Sequence, residues 1–344
     1  MRSPSENRFP APRTAVIAAD RGHIDMYRKR GMYEQSQRLT TAGETMYTVS
    51  MFNILDILSD PPTIKIIDVG AMLLTNAGEP RIEPYSPLLE RGIATVVGFE
   101  PVVAECTRLN AQSDGTNTYL PYCIGDGNPG VFHECNYPMT SSLYEPNTPL
   151  LEKFHHLEEY VRVVKKEEIE THRLDDIPEV VGADYIKVDV QGGEIDVFAG
   201  AAELLKGVAV IETEVEFVPL YKNQPLFAEV DQLLRRNGFA FHQFKDTWGR
   251  TFKPLFVEEN PFGSLGQVLW TNAVYVKDFM ALDALLPEQL LKLAIILHEV
   301  YNSYDLCVVV LKQHDSMTGA TLADTYLEHL GRAQDALAQK SGNE

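Results

Sequence analysis

Short runs of apolar, largely β-branched residues recur from residue 64 onward, and segments with helical spacing lie between them. Continuous apolar runs, rather than strict alternation with polar residues, are typical of strands that are buried on both faces of a sheet. Alternating strands and helices predict an α/β fold with a mainly parallel sheet and helices on both faces. The predicted strands are 64–69, 95–99, 118–124, 185–190, 208–214, 239–244 and 274–276, and the predicted helices are 101–110, 194–205 and 226–237.

The stretches on either side of this alternation predict extensions of the sheet domain. Residues 1–61 are predicted to form a disordered tail, over residues 1–19, and then a helical N-terminal extension. That helix has to end before Pro61-Pro62, because proline lacks a backbone N–H and constrains the residue before it. Residues 282–344 are predicted to form a helical C-terminal extension. Its apolar face favours packing on the core over packing on a partner chain, which would make a homo-oligomer.

The sheet domain is predicted to span residues 62–281, with an insertion near residues 126–184. Glycine, proline and aromatic residues interrupt the alternation there. Long irregular insertions in compact domains are usually functional or disordered, and we interpret this one as a lid over the substrate. The candidate substrate-binding residues in the insertion are Tyr137, Ser141, Ser142 and Tyr144.

Composition narrows the possible partners and location. The chain has 344 residues, a formal net charge of −19 and a pI near 4.9, and this negative charge argues against a nucleic-acid partner. The sequence contains no uninterrupted apolar run of about 18 residues, so no membrane span is predicted. Four cysteines without C-x-x-C spacing predict free thiols, and the histidines lack metal-binding spacing. Together with an N-terminus that lacks an apolar signal segment, these features predict a cytoplasmic location.

The run Tyr185-Ile-Lys-Val-Asp-Val-Gln-Gly-Gly-Glu194 has the most distinctive polar pattern. A buried strand ends there in Lys187 and Asp189, and Glu194 begins a helix after a glycine turn. Ligands of α/β proteins bind at the carboxyl ends of strands, and side chains two residues apart share a strand face. We therefore interpret Lys187, Asp189 and Glu194 as catalytic candidates. The alternative is an ion-pair network that holds the turn between strand and helix.

Two earlier strands also end in acidic groups. Asp68 and Gly70 end the first core strand, and Glu100 ends the next. An acid at the second position is suited to bind both hydroxyls of a ribose, although it can also cap the following helix. The dinucleotide fingerprint G-x-G-x-x-G is absent after Gly70, which favours a nucleoside ligand without a pyrophosphate, such as S-adenosylmethionine. Asp126, after the third strand, is suited either to an adenine amino group or to a plain turn.

Three glutamates, Glu212, Glu214 and Glu216, alternate along the following strand and project to one side of it. At the end of a central strand they would line the pocket, whereas on a solvated edge they would mean little. We take Glu214 as a catalytic candidate and Glu212 as a substrate-binding candidate. A divalent ion between Asp189 and Glu214 or Glu212 is compatible with these residues, but no ligand spacing requires one.

In these motifs the chain resembles the FkbM-type family of S-adenosylmethionine-dependent methyltransferases, over residues 62–245. The family's K-x-D-x-E-G-x-E motif is the most specific match, with Gln191 in place of a glutamate. The family's first motif usually continues D-V-G-A-N-x-G, whereas Met72 follows Ala71 in this chain. The matching segments are Asp68-Val-Gly-Ala71, Gly98-Phe-Glu-Pro101, Ser141-Ser142, Arg173-Leu-Asp-Asp176, Ile186-Lys-Val-Asp-Val-Gln-Gly-Gly-Glu194 and the strand that contains Glu212.

The resemblance implies a class I methyltransferase fold, which is Rossmann-like and has a mostly parallel sheet of seven strands with the last strand antiparallel. It also implies that S-adenosylmethionine is the cofactor and that a hydroxyl of a sugar, glycan or natural-product small molecule is methylated. The cofactor-binding residues it implies are Asp68, Gly70, Ala71, Glu100, Pro101, Gly125 and Asp126.

Methyl transfer to a hydroxyl requires that the acceptor oxygen be positioned and its proton removed. Asp189 is the candidate base, and Lys187 is expected to hold it ionised or to stabilise a developing alkoxide. The alternative function is a scaffold or interaction module that keeps the fold without catalysis, which the altered loop after Gly70 would fit. A nicotinamide-dependent oxidoreductase would need the dinucleotide loop that this chain lacks.

Overall fold

A computed structural model describes most of the chain from residue 52 onward. Most of the predicted N-terminal helical extension, and most of the loop after Met72, lie outside the described residues. The described residues are 17–19, 52–72, 75–76, 79–80, 83–113, 115–257, 260 and 262–341, with the backbone alone at 17–19, 75–76, 79–80 and 334–341.

The strands of the described residues include those predicted from the apolar runs, because β-branched residues fit a pleated surface that is buried on both sides. They are β1 (Ile17–Ala19), β2 (Ile64–Val69), β3 (Thr75–Asn76), β4 (Glu79–Pro80), β5 (Ala94–Phe99), β6 (Thr118–Leu120), β7 (Cys123–Ile124), β8 (Gly130–Cys135), β9 (Val163–Ile169), β10 (Thr171–His172), β11 (Tyr185–Val188), β12 (Val210–Glu216), β13 (Phe239–Gly249), β14 (Leu255–Val257) and β15 (Val268–Lys277).

Helices lie between these strands and after the last of them. None of the helices in the described part of the chain combines the length and the apolar character needed to cross a membrane. They are α1 (Ser86–Glu90), α2 (Val103–Gln112), α3 (Thr148–Leu151), α4 (Leu157–Tyr160), α5 (Glu194–Ala199), α6 (Leu204–Gly207), α7 (Phe227–Arg236), α8 (Pro287–Glu299), α9 (Tyr304–Thr318) and α10 (Leu322–Ser341), with single 3-10 turns at Ile54–Ile57, Pro138–Thr140, Leu174–Asp176, Pro178–Val180 and Leu282–Ala284.

One sheet of seven strands organises the fold, in the order β13-β15-β12-β11-β2-β5-β6. Strands β12, β11, β2, β5 and β6 are parallel to one another, whereas β15 is antiparallel to both β12 and β13. The predicted class I methyltransferase fold is confirmed, including its last strand, which lies antiparallel between two strands that precede it in the chain.

Two apolar layers cover the sheet. On one face, Ile67 and Ile186 belong to a buried cluster with Phe198 of α5 and Leu234 of α7. On the other face, Ile66 belongs to a second cluster that includes residues of α8, α9 and α10. The apolar side of the C-terminal extension therefore packs on the core of its own chain.

One predicted strand is broken in two. The apolar run 118–124 gives β6, which joins the central sheet, and β7, which pairs with β10 instead. The break falls at Pro121, which has no N–H to donate to a sheet ladder.

One predicted helix is also shorter than its pattern. The helix expected over 194–205 ends at Ala199 and resumes as α6. Gly200 lies so close to the backbone of Gly125 that a Cβ atom on it would be 2.1 Å from the Gly125 carbonyl oxygen. The Gly200 carbonyl accepts a 2.9 Å hydrogen bond from the Asp175 N–H, and the Leu204 N–H donates to Asp175 Oδ1 at 2.9 Å, so the helical bond between Gly200 and Leu204 is replaced.

Described residues of the N-terminal part of the chain contact the domain at β1 and around Phe52. Strand β1 pairs with β14, although disorder was predicted for that stretch. The Phe52 carbonyl accepts a 2.7 Å hydrogen bond from Nε2 of His298, whose Nδ1 lies 2.7 Å from the Tyr326 hydroxyl. Burial lowers the pKa of His298, so the neutral ring serves both partners at once.

Tyr301 follows α8 and reaches the central strands from the C-terminal helices. Its hydroxyl lies 2.8 Å from Oε2 of Glu212 and 2.8 Å from the Tyr185 hydroxyl. All three residues are buried. The C-terminal extension thus supplies a hydrogen bond to a carboxylate of the central sheet, in addition to its apolar contacts.

We expect Tyr301→Phe to lower the free energy of unfolding by about 1–3 kcal/mol, because a buried acceptor then loses a donor. The measurement is urea unfolding followed by circular dichroism. Tyr304→Phe is the matched control, since the half-buried Tyr304 hydroxyl donates to Asn302 within the same segment. Equal losses in the two variants would contradict a structural role for the contact with Glu212.

Candidate active site

Acidic side chains meet at the edge of the sheet where the parallel strands end. Glu100 follows β5, Gly70 follows β2, and Asp189 follows β11. Because β2 lies between β5 and β11, Gly70 lies between the other two along this edge. Ligands of open α/β sheets bind outside the carboxyl ends of the strands. The three sequence motifs therefore converge on one candidate active site.

Gly70 packs directly against Asp189. Its φ is +85°, and a Cβ atom on it would lie 2.0 Å from the Asp189 carbonyl oxygen. The Asp189 N–H donates a 3.0 Å hydrogen bond to the carbonyl of Val69. Glycine is therefore required at position 70 by the close approach of two strand ends, whatever ligand it also meets.

Lys187 and Asp68 form a buried ion pair. They are opposite each other in the register of β11 and β2, and Lys187 Nζ lies 3.1 Å from Asp68 Oδ1. Lys187 Nζ also lies 3.6 Å from Oε2 of Glu83, and the Tyr85 hydroxyl donates a 2.5 Å hydrogen bond to Asp68 Oδ2. The structure thus places Lys187 in an ion pair between two strands, whereas the alternative interpretation expected one at the turn between strand and helix. The role of Lys187 toward Asp189 stays a prediction.

Glu100 is an acid in an unfavourable environment for its charge. It is buried, and one of its oxygens accepts a 2.8 Å hydrogen bond from the N–H of Val102, at the start of α2. Burial raises its pKa to about 7, and the nearby Glu105 and Asp68 add to this shift. Hydroxyl donors from a ligand would favour the ionised form. The residue therefore fits a ribose, and its own bond is to the N–H of Val102, the residue directly before α2.

Ala71 and Pro101 flank these acidic groups. Ala71 is buried, and its N–H donates a 3.0 Å hydrogen bond to the carbonyl of Phe99. Pro101 is half-buried directly after Glu100. Both lie beside the strand ends, where the resemblance implies contact with the cofactor.

Gly125 and Asp126 form a tight turn after β7. The two Asp126 oxygens accept hydrogen bonds from the N–H and the side-chain amide of Asn128, at 2.9 and 2.7 Å. These bonds lower the pKa of Asp126. Gly125 is buried against Thr171. The turn interpretation is thus realised, and an ionised acceptor remains half-exposed for a ligand.

Glu194 holds the turn that follows β11. Its Oε1 accepts hydrogen bonds from the N–H groups of Val190, at 3.2 Å, and Gly192, at 3.1 Å. The turn needs such support because Gln191 and Gly192 have φ values of +60° and +99°. Burial raises the pKa of Glu194 to about 7, against the effect of the backbone donors. The geometry thus gives this residue a structural role.

The insertion is attached to the same turn. The Ser142 hydroxyl donates a 2.7 Å hydrogen bond to the carbonyl of Gln191 and accepts one from the N–H of Tyr144. The Tyr144 hydroxyl in turn donates to Asp196 of α5, at 2.9 Å. Two of the four substrate-binding candidates in the insertion therefore hold the hairpin of β8 and β9 beside Asp189.

The other two residues stabilise the insertion itself. The Ser141 hydroxyl oxygen accepts a 3.0 Å hydrogen bond from the N–H of Cys135. The ring of the half-buried Tyr137 lies 5.4 Å from that of Tyr160, between centroids. Their contacts with the rest of the insertion explain why serine and tyrosine occur at these positions.

Asp189 and Glu214 are joined through Gln191. The Gln191 side-chain amide donates to Asp189 Oδ1 at 2.8 Å and to Glu214 Oε2 at 3.1 Å, and its oxygen accepts from the Tyr221 hydroxyl at 3.2 Å. Glu214 is buried, and burial raises its pKa well above the ordinary value, with Asp189 and Glu216 adding to the shift.

Glu212 lies deeper in the sheet than its two neighbours in the motif. It is buried opposite Lys187 and accepts hydrogen bonds from Tyr185 and Tyr301, beneath the C-terminal helices. Among the residues that the structure describes, no group of three or more His, Cys, Asp or Glu side chains is arranged to hold a metal ion.

Three tyrosines complete the site and were missed by the sequence analysis. Tyr85 contacts Asp68, Tyr221 contacts Gln191, and Tyr301 contacts Glu212. Each lies outside the strand-end motifs, and only the folded chain brings it to an acidic strand. The one available signal was the polar character of the phenol, because a buried tyrosine hydroxyl usually has a hydrogen-bond partner.

The arrangement of a class I sheet with acids at its carboxyl edge agrees with the comparison with known proteins. The family model described as "Methyltransferase FkbM domain" matches residues 68–241. A 2-O-methyltransferase, NoeI, of Sinorhizobium fredii (strain NBRC 101917 / NGR234) is 37% identical over 190 residues, which cover 52% of this chain and 74% of that protein.

More distant similarities are found among solved structures. They include a methyltransferase FkbM from Methylobacillus flagellatus KT, with 13% identity, a TM-score of 0.32 and coverage of 62% of this chain and 43% of that chain. Another is magnesium protoporphyrin IX methyltransferase (ChlM) from Synechocystis PCC 6803, with 12% identity, a TM-score of 0.29 and coverage of 64% and 75%. These similarities are too remote to bear on the activity of this chain.

The family match extends over half of the chain, from the first core strand to the sixth strand of the sheet. The chain belongs to the FkbM methyltransferase family. It is a methyltransferase, and the cofactor of this class of enzyme is S-adenosylmethionine.

We expect Glu194→Ala to lower the free energy of unfolding by about 2–4 kcal/mol, because two N–H groups of the turn lose their acceptor. Glu194→Gln keeps an acceptor oxygen and is expected to lose less than about 1 kcal/mol. The measurement is denaturant unfolding of both variants at pH 7. Equal losses would contradict the role of Glu194 as the acceptor that holds the turn.

Proposed function

We propose that this methyltransferase transfers a methyl group to a hydroxyl of a sugar, a glycan or a natural-product small molecule. The observation that carries the proposal is the position of two acids, Glu100 and Asp189, after strands on opposite sides of β2 at one edge of the sheet. One acid suits the cofactor and the other suits an acceptor hydroxyl. The similarity to a protein named as a 2-O-methyltransferase supports methylation of oxygen.

The cofactor half of the site is the edge formed by β2 and β5. S-adenosylmethionine, when bound, supplies a methyl group that its sulfonium charge already activates. Glu100 accepts hydrogen bonds from the ribose hydroxyls, which compensate for the burial of its charge. Asp68 acts through its ion pair with Lys187, which fixes the end of β2. Gly70, Ala71 and Pro101 shape the walls, and Asp126 with Gly125 lies where an adenine amino group would be bound.

The acceptor half is the edge formed by β11 and β12. Asp189 is half-buried beside Gly70 and accepts a hydrogen bond from the acceptor hydroxyl, which orients the oxygen. As the oxygen loses electron density to its new bond with carbon, its proton becomes more acidic and passes to Asp189. A carboxylate is a sufficient base for this step because the proton leaves late.

The insertion forms the side of the acceptor site that faces away from the cofactor. Ser142 and Tyr144 hold its hairpin against the turn at Gln191, and Tyr137 with Ser141 keeps the hairpin folded. A wall of hydroxyl groups and aromatic rings suits a neutral polyhydroxylated acceptor, since rings pack on the apolar faces of sugars and hydroxyls bond their edges. The three carboxyl groups near Asp189, those of Glu194, Glu214 and Glu216, disfavour an anionic acceptor.

We expect Glu100→Ala to weaken binding of S-adenosylmethionine by more than about tenfold, because hydrogen bonds to a charged group contribute about 1.5–3 kcal/mol. Isothermal titration calorimetry measures the change. Glu90→Ala is the control, because Glu90 is exposed at the end of α1. Absence of binding by the unmodified chain would favour the scaffold alternative.

The raised pKa of Glu100 also predicts the pH dependence of cofactor binding. Ribose hydroxyls donate to the ionised acid, whereas the protonated acid has lost most of its acceptor strength. Since the pKa is raised to about 7, affinity is expected to increase between pH 6 and pH 8. The same titration with Glu100→Gln should show no such increase. If affinity rose with pH in that variant as it does in the unmodified chain, the assignment to Glu100 would be contradicted.

We expect Asp189→Asn to lower the rate of methyl transfer by about 10²–10⁴-fold, because the acceptor proton loses its base. Cofactor affinity should change by less than about threefold, since Asp189 lies on the acceptor side. The assay follows transfer of labelled methyl to free hexoses, deoxyhexoses and their methyl glycosides. Asp283→Asn, at an exposed position, is the control. Loss of cofactor binding in Asp189→Asn would contradict this division of the site.

A further inference from the structure

The Gln191 amide lies between two carboxyl groups that belong to neighbouring strands. Val188 of β11 is opposite Thr213 of β12, and Asp189 and Glu214 are the residues that directly follow these two. The amide nitrogen donates to one oxygen of each carboxyl group, at 2.8 Å to Asp189 and 3.1 Å to Glu214. Each of its two hydrogens is thereby used once.

The orientation of this amide is determined by its surroundings. Its oxygen faces the Tyr221 hydroxyl, whose hydrogen also faces the carbonyl of Thr140 at 2.9 Å. If the amide were reversed, its oxygen would face Asp189 and Glu214, and each contact would then need a proton on the carboxyl group. The observed donor contacts therefore require acceptor oxygens on both acids.

The two acids lie close together, since both are within hydrogen-bond distance of one amide nitrogen, and they are not equally buried. The charge of Asp189 adds to the effect of burial and raises the pKa of Glu214. Two carboxyl groups that share a site ionise in separate steps, which favours a single proton on the pair. Glu214 is buried in the central strand, whereas Asp189 is half-buried at the strand end. Burial penalises charge more strongly at Glu214, which places the hydrogen on Glu214 and the charge on Asp189.

Other ionisable groups lie around this pair. Glu216 lies on the same strand and Glu194 begins α5, and both disfavour a second negative charge on the pair. Tyr221 is a neutral group that contacts Gln191, Cys135 lies near Tyr221, and burial raises the pKa of each. The cation of Lys187 is directed at Asp68 and Glu83. The surroundings thus favour a pair with one negative charge over a pair with two.

We propose that Asp189 and Glu214 act as one acid pair that shares a single proton at neutral pH, with Gln191 as the residue that positions the charge on Asp189. The inference rests on the proposed function for its role in methyl transfer, and concerns the state of the base. Glu214 and Gln191 are positioning residues, since they act through Asp189.

The proton balance of the proposed reaction is simple. The acceptor O–H bond breaks as the new O–CH₃ bond forms, and the hydrogen moves to Asp189 as a proton. The pair then holds two protons, one on each acid, and returns one to water before the next turnover. No oxidant, reductant or metal ion takes part.

The first test uses the full chain without cofactor or acceptor, so that it is independent of the proposed function. A buried acid with a raised pKa stabilises the fold below its unfolded pKa, and this contribution is lost as the pH rises through the folded pKa. Glutamine at position 214 cannot ionise. The Tm of Glu214→Gln, relative to that of the unmodified chain, is expected to rise by about 2 °C or more between pH 5 and pH 8.5.

Two variants are the controls for this shift. Glu179→Gln removes the same charge at an exposed position and should show no such rise. In an Asp189→Asn background, the effect of Glu214→Gln is expected to fall by about half or more, because the neighbouring charge is gone. A difference in Tm that does not change with pH would overturn the shared proton. So would a rise in Tm with Mg²⁺ or Ca²⁺ that Glu214→Gln abolishes, since a metal ion would then occupy its place.

The second test addresses Gln191 through the pH dependence of kcat/KM. Removing an amide donor from Asp189 disfavours its charge. The acid limb of the kcat/KM profile of Gln191→Met is therefore expected to shift to higher pH by about half a pH unit or more. Gln191→Glu, which has the same shape and adds a carboxyl group, should move it in the same direction. A merely structural role would lower kcat/KM at every pH without moving the limb, and that result would overturn the positioning role. Cofactor affinity, measured separately, reports on the proposed function.

Discussion

The close approach of two strand ends, at Gly70 and Asp189, is the constraint on which the site depends. The Asp189 N–H is bonded to β2, and its carbonyl occupies the space that a side chain at position 70 would need. This contact fixes Asp189 beside the end of the first strand. The turn that follows then has to bend sharply, which explains its two left-handed residues and the buried acid, Glu194, that accepts the N–H groups of Val190 and Gly192. Backbone packing therefore determines where the side chains of Asp189 and Glu194 lie.

Charge is the second constraint, because the same sheet face carries several acids and little positive charge to balance them. Lys187 neutralises Asp68, and tyrosine hydroxyls donate to Asp68 and Glu212. Toward the carboxyl edge of the sheet, other groups take this role: the Gln191 amide donates to the acids, and the proposed proton on Glu214 removes one negative charge. Burial without a cation raises the proton affinity of an acid. The structural and the functional ends of the face thus differ in how each negative charge is stabilised.

The two additions to the sheet domain have different consequences for the site. The C-terminal helices cover one face of the sheet and reach Glu212 through Tyr301, so they act on the base of the acidic strand. The insertion contacts the edge, where Ser142 bonds the turn at Gln191. Variation in the insertion would therefore change the acceptor, whereas variation in the helices would change the stability of the strands beneath the site.

Local patterns in the chain were enough to predict the α/β alternation, the exact bounds of the first strand, the family and the acids at the strand ends. Those features are local, since apolar runs and strand-end polar groups are properties of a few consecutive residues. The tertiary structure, in contrast, sets which acid meets which partner. It separated Glu212 from Glu214, although they are two residues apart, and paired Lys187 with Asp68 across two strands. It also broke a predicted helix at Gly200, where a distant backbone approaches. The partner of a buried charge depends on the register of the strands and on residues that are distant in the chain. A local sequence pattern specifies neither the register nor those residues.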